Sequence, residues 1–156
     1  MRQLVFAFAL FAAACASPGA RADDDAINYT PLVQQCVTAA ATDEALAACK
    51  GAAWTPCSEA DGGSTYGMLM CYSSEADGWE AVIASTVQSL SAAFPDSAAT
   101  IANAQSDWRS LRENDCVFAR QRWGPGSGAQ VEYVRCMAAM GADRGITLQR
   151  ALRHPD

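Results

Sequence analysis

"RWGPGSGAQ", residues 122–130, decides how the second half of this chain folds. Gly124, Pro125, Gly126 and Gly128 fall within five consecutive positions. No helix or strand interior tolerates that density of breakers. Cys116 lies ten residues before Gly126 and Cys136 ten residues after it. In an antiparallel helical hairpin, residues equidistant from the turn lie at the same height, so a bridge between these two is within disulfide reach. The stretch therefore reads as the hinge of a helical hairpin. Ser127 and Gln130 are expected to form a capping box that opens the return helix. The first job of the loop is architectural.

The beginning of the chain sets the compartment. Arg2 precedes an unbroken apolar run from Leu4 to Ala14, then Pro18-Gly19, then the small residues of Ala20-Arg21-Ala22. That is the anatomy of a cleaved secretory signal over residues 1–22, and the run is too short to span a bilayer. Cys15 allows a rival reading, a lipid anchor. It is disfavoured, because Ala12-Ala13-Ala14 lacks the leucine usual three positions before a lipidated cysteine. The chain has 11 Lys and Arg against 17 Asp and Glu, a net charge of −6. Removing residues 1–22 takes away Arg2 and Arg21 and no acid, leaving −8 (9 against 17). Such acidity argues against nucleic acid and anionic membranes and admits a basic partner.

Without Cys15, six cysteines remain: Cys36, Cys49, Cys57, Cys71, Cys116 and Cys136. An even count in an exported chain reads as disulfides. Cys36 and Cys49 are centred on the "ATD" turn, and Cys57 and Cys71 on Ser64 within "DGGST". Hairpin symmetry thus favours sequential pairing, 36–49, 57–71 and 116–136. Cys49 and Cys57 fall on one helical segment and can exchange partners, which leaves the pairing of the first four open.

Residues 23–56 read as an acidic leader and an N-terminal helical hairpin. Thr30-Pro31 starts a helix that runs to about Ala40. Thr42 caps the next, which breaks near Gly51 and restarts for a turn or so at Thr55-Pro56. A long third helix begins near Ser64 and runs to Phe94, with Trp79, Ile83, Val87, Leu90 and Phe94 on one face. Asp96 is expected to cap a fourth, striped by Ile101, Ala104, Trp108, Leu111 and Phe118. The fifth carries Val131, Val134, Ala138 and Leu148 and ends before Pro155. No stretch alternates as a strand, so the fold class is an all-α, disulfide-stapled bundle of about four to five helices built from hairpins.

Little of this resembles an enzyme. The sole histidine, His154, stands three residues from the end and no C-x-x-C occurs, so no catalytic triad, redox pair or metal set is expected. No phosphate loop follows a strand, and no cofactor is implied. Asp23 to Asp25 lie in the leader, and Glu113 with Asp115 read as a solvated helix face. One constellation is unusual. Gln105, Trp108, Arg112 and Cys116 share one helix face, and Arg144 and Leu148 approach from across the turn. Arg112 could lie over the Trp108 ring or pair with a carboxylate. A polar clasp fixing helix register is the favoured reading; a partner-binding patch is the other.

The same residues carry a resemblance. "AQSDWRSLRENDC" (104–116), "GPGSG" (124–128), Cys136, Arg144 and Leu148 resemble the signature of the LprI-type family of small exported bacterial proteins. "STYGMLMCYSSEADGWEAVI" (64–83) resembles its upstream segment. The similarity covers about residues 57–152. Gly141 departs from the family's usual threonine, and Glu80 and Ala84 from its usual Asp and Asn. The resemblance implies a disulfide-stapled helical bundle in the periplasm or outside the cell, with Gln105, Trp108, Arg112, Ser127 and Arg144 as motif residues. It further implies a binding protein whose target is a basic lysozyme-type enzyme. The alternative is a structural or envelope-stress protein without an enzyme target. Nothing in the sequence sets an oligomeric state.

Overall fold

The computed structural model describes residues 28–61 and 63–154. The expected signal segment, the leader up to Ile27, the lipidation site at Cys15 and the end at Pro155 lie outside the described residues. Among those described there are six α-helices and no strand: α1 (Pro31–Ala39), α2 (Asp43–Ala47), α3 (Trp54–Asp61), α4 (Thr65–Ala93), α5 (Ala98–Arg122) and α6 (Ser127–Arg153). The count exceeds the expected four to five because Gly51, at φ 85°, breaks the second segment outright. Cys49 sits in the turn after α2 and Cys57 inside α3, so they do not share a helix as expected. The bridges are Cys36–Cys49, Cys57–Cys71 and Cys116–Cys136. Each closes a short loop, worth roughly 3 kcal/mol through the entropy removed from the unfolded chain.

The predicted Thr42 cap is in place, and Ser64, the expected start of the long helix, caps it as well. Thr42 accepts from the Ala45 N–H at 3.1 Å, and Ser64 from the Gly67 N–H at 2.8 Å. Two other predicted caps are not in place. Pro95–Ser97 forms a 3-10 turn, so α5 starts at Ala98 and Asp96 falls within that turn instead of capping the helix. The Ser127–Gln130 capping box is also absent. Gly126 takes the N-cap position at φ 132°, a conformation reserved for glycine, and Ser127 becomes the first helical residue with no side-chain cap bond.

Helices α4 and α6 run parallel and form the main seam. A Cβ on Gly145 would stand 2.6 Å from Trp79 Cε3, so the seam closes only because that side chain is missing. Gly78 does the same for α1: its Cβ would meet Val33 Cγ2 at 2.6 Å. One core joins Val33 and Val37, Leu46, Cys57, Trp79 and Val82, and Ala142 and Ile146. The N-terminal hairpin therefore packs into the same core as the long helices. A second cluster joins Ile83, Leu90 and Leu148, backed by Ile101 and Trp108.

Helix α5 is rotated from its expected phase. Its buried residues are Gln105, Arg112 and Cys116, while Leu111 and Phe118 are 54% and 61% exposed. The bridge to Cys136 turns the Cys116 face towards α6. Leu111 and Phe118 lie well round the helix from Cys116 and so face out. Phe94, at the far end of the α4 stripe, is also partly exposed.

The ends of the described chain grip one another. Arg153 donates to the Val37 and Ala40 carbonyls at 3.4 and 2.9 Å, holding the last turn of α1. Arg150 pairs with Asp43 at 3.2 Å.

Candidate functional site

Four of the five residues singled out in the sequence, Gln105, Trp108, Arg112 and Arg144, meet on the α4–α5–α6 seam. Arg112 is nearly buried; its guanidinium lies 4.5 Å from the Trp108 ring centroid and pairs with Glu80 of α4. Arg109 reaches the same carboxylate at 3.7 Å. Across the seam, Arg144 donates through Nε to Gln105 Oε1 at 3.1 Å and lies 5.8 Å from the Trp108 ring. Two guanidinium groups thus share one indole. Burial holds the Arg144 guanidinium below the ordinary arginine value. Gln105, Trp108, Arg112 and Arg144 come together as the spacing suggested, whereas Ser127 stands apart on the exposed hairpin end. Glu80 supplies the counter-charge. Gly141 makes room beside it: a Cβ there would lie 3.2 Å from Trp79 Cβ and 3.9 Å from an Arg112 terminal nitrogen.

A second polar knot was not anticipated. Glu75 is buried against Trp79 and accepts four N–H donors. Oε1 takes the Gly51 amide at 2.8 Å and the Trp79 indole at 2.7 Å. Oε2 takes the Ala53 and Trp54 amides at 2.7 and 3.0 Å. The carboxylate therefore pins the α2–α3 loop onto α4 through the Gly51, Ala53 and Trp54 amides. One signal was available in the sequence. Glu75 sits between Cys71 and Trp79 at four-residue spacing, an acid on a core-facing line.

The third feature is the α5–α6 turn. Trp123 is 62% exposed and packs one side of its ring on Gly128, whose Cβ would lie 3.3 Å away. Arg122 lies over the Phe118 ring at 6.0 Å and Arg120 over Tyr133 at 5.6 Å. In the first turns of α6, Arg135 grips Glu132 with two bonds of 2.6 and 2.9 Å. That grip holds the Glu132 carboxyl below its usual range, with Trp123 and Arg122 adding to it. On the other side Glu113 accepts from the Tyr133 hydroxyl at 2.8 Å; burial first, and that bond second, raise the phenol.

An apolar hollow of about 460 Å³ opens between Leu90, Ile101, Leu148 and Arg144. Among the described residues no group of three or more His, Cys, Asp or Glu is placed to hold a metal ion. No helix among them is long and apolar enough to cross a membrane.

What fold and site define is a small all-α bundle stapled by three disulfides, a framework of oxidising, extracytoplasmic compartments. Residues 57–148, more than half of the chain, match the family model described as "Lysozyme inhibitor LprI", and the chain belongs to that family. Neither the curated proteins nor the solved structures contain a match.

Proposed function

We propose that this chain is an exported bacterial protein, periplasmic or secreted, that binds and inhibits a lysozyme-type glycosidase. The family match over residues 57–148 carries the reading. Residues 57–152 would form the inhibitor domain, with residues 23–56 as an added hairpin. Charge supports it: an acidic chain meets a basic lysozyme favourably, and affinity should then fall with added salt. A role as an enzyme is disfavoured by how the buried and half-buried charges are spent. Glu75, Glu80, Arg112 and Arg144 are engaged with groups of the same chain. The test is inhibition of a panel of lysozymes by the purified mature chain at low salt. Absence of both binding and inhibition removes the reading.

A second reading draws on the clasp itself. Gln105 and Arg112 are buried in helix–helix contacts, so these motif residues serve the fold. A structural role in the envelope, without an enzyme target, needs nothing more from them. A deletion strain with normal lysozyme sensitivity and a defective envelope would favour it.

A further inference from the structure

We infer that the hairpin end formed by Trp123 and its neighbouring arginines is the surface that enters the partner's substrate cleft. The inference rests on the inhibitor reading above and names its contact face.

Charge comes first. Residues 117–131 contain Arg120 and Arg122 and no Asp or Glu, in a chain where acids outnumber bases by 17 to 11. Among the described residues neither arginine forms an ion pair; each lies over an aromatic ring instead. The rest of the chain is acidic; Glu132, which borders this end, is already gripped by Arg135, so Arg120 and Arg122 make the end a local reversal of sign.

Apolar exposure coincides with it. Trp123 and Phe118, two of the largest exposed apolar side chains, flank Arg122 at this end. The α4–α6 register brings a third. Gln149 bonds Thr86 across an offset of 63 residues. The same offset sets Tyr66, 71% exposed, near the level of Ala129 in the first turn of α6. Tyr, Trp and Arg are the residues in which binding energy concentrates at interfaces.

Shape completes the case. The loop is braced by the Trp123 ring on Gly128 and by the Gly124 N–H donating to the Gln121 carbonyl at 3.1 Å. These two contacts lower the ordering that binding has to supply. An open hollow of about 490 Å³ lies between Arg122, Trp123, Glu132 and Arg135.

A glycosidase cleft is the complement. It carries two carboxylates flanking the scissile bond, and apolar floors that accept sugar faces. Arg122 supplies a forked donor for a carboxylate, and the indole supplies a flat apolar face where a pyranose would lie. Occupation is competitive with substrate. The acidic body meanwhile faces the basic surface around the cleft.

The test uses the mature chain, a basic lysozyme, and tri-N-acetylchitotriose as a cleft-filling competitor. Arg122→Glu and Trp123→Ala are expected to weaken inhibition at least about 30-fold with unchanged melting. Asp107→Asn, at an exposed position elsewhere on α5, should inhibit as the parent does. The trisaccharide should compete with the inhibitor. If Trp123→Ala melts early, Arg122→Glu decides alone. Should the parent inhibit while Arg122→Glu inhibits equally well, or while the complex forms on trisaccharide-saturated lysozyme, the hairpin end is not the contact face and inhibition itself stands. If the parent neither binds nor inhibits, the inhibitor reading falls and this assignment with it.

Discussion

Glu75→Gln changes one atom of the core and should cost the fold several kcal/mol. The carboxylate accepts two N–H donors on each oxygen, with all four distances between 2.7 and 3.0 Å. An amide keeps one oxygen and replaces the other by an NH₂ group, which cannot accept. Whichever way it is turned, two donors lose their partner and face another donor. One orientation strands the Ala53 and Trp54 amides; the other strands the Gly51 amide and the Trp79 indole. A buried hydrogen bond to a charged group is worth about 1.5–3 kcal/mol, so the pair costs about 3–6 kcal/mol. That is a large share of the ~5–15 kcal/mol that holds a domain together. At roughly 4 °C per kcal/mol for a domain of this size, the melting temperature should drop by about 12 °C or more. Circular dichroism with the disulfides intact gives the melting curve. Amide exchange adds a local readout: protection should be lost first at Gly51, Ala53 and Trp54. A loss below about 1 kcal/mol, with exchange at those amides unchanged, would refute the assignment of Glu75 as the pin of the loop.

Three further outcomes follow from the same geometry. In a double-mutant cycle of Arg112→Ala and Glu80→Gln, the single Arg112 change should cost about 2–4 kcal/mol and the coupling should exceed about 1 kcal/mol, read by urea unfolding. Additive losses would show that the pair is not a clasp. Gly145→Ala forces a methyl group to within 2.6 Å of Trp79 Cε3 and should destabilise by about 1–3 kcal/mol, although alanine is the better helix former; unaltered or raised stability would contradict the close packing. For Glu132, a folded value depressed below 4.5 means that its stabilisation is complete above that pH and is lost as pH falls through the lower folded value. The melting difference between the parent and Glu132→Gln should therefore be constant at neutral pH and shrink below about pH 4. A difference that grows on acidification would reverse the sign and sink the assignment.

The helical class, the Cys116–Cys136 bridge and the long α4 were legible because turns, cysteines and prolines act locally; the turns favoured the other two bridges without fixing them. Ser64 and Pro95 bracket α4 as the sequence indicates, since a cap and a chain break need no tertiary partner. The phase of α5 was not legible in the same way. By hydrophobicity alone, Leu111 and Phe118 belong inside. Covalent attachment at Cys116 and the ion pair at Arg112 outweigh that preference and bury a polar face instead. The clasp was half visible: helix spacing places Arg112 near Trp108, but its carboxylate comes from Glu80, a partner that no local spacing can supply. Glu75 stayed hidden for the same reason. Three of its four donors are backbone amides of a loop, and backbone amides carry no sequence signature. At the hairpin, "GPGSG" located the turn, but the cap fell on Gly126 because a glycine with positive φ fits the entry better than the serine beside it.

The grip of Arg153 on α1 has a consequence in time. Its bonds to Val37 and Ala40 span 116 and 113 residues, so the last turn of α1 receives this partner only after nearly all of the chain has emerged. The Cys36–Cys49 and Cys57–Cys71 bridges span only 13 and 14 residues and need nothing that comes later. Under the export proposed above, the first two loops can therefore oxidise at once, while Val33 and Val37 still await Ala142 and Ile146. Early bridges hold the incomplete core in native pairing, and the final turn of α6 closes it like a latch.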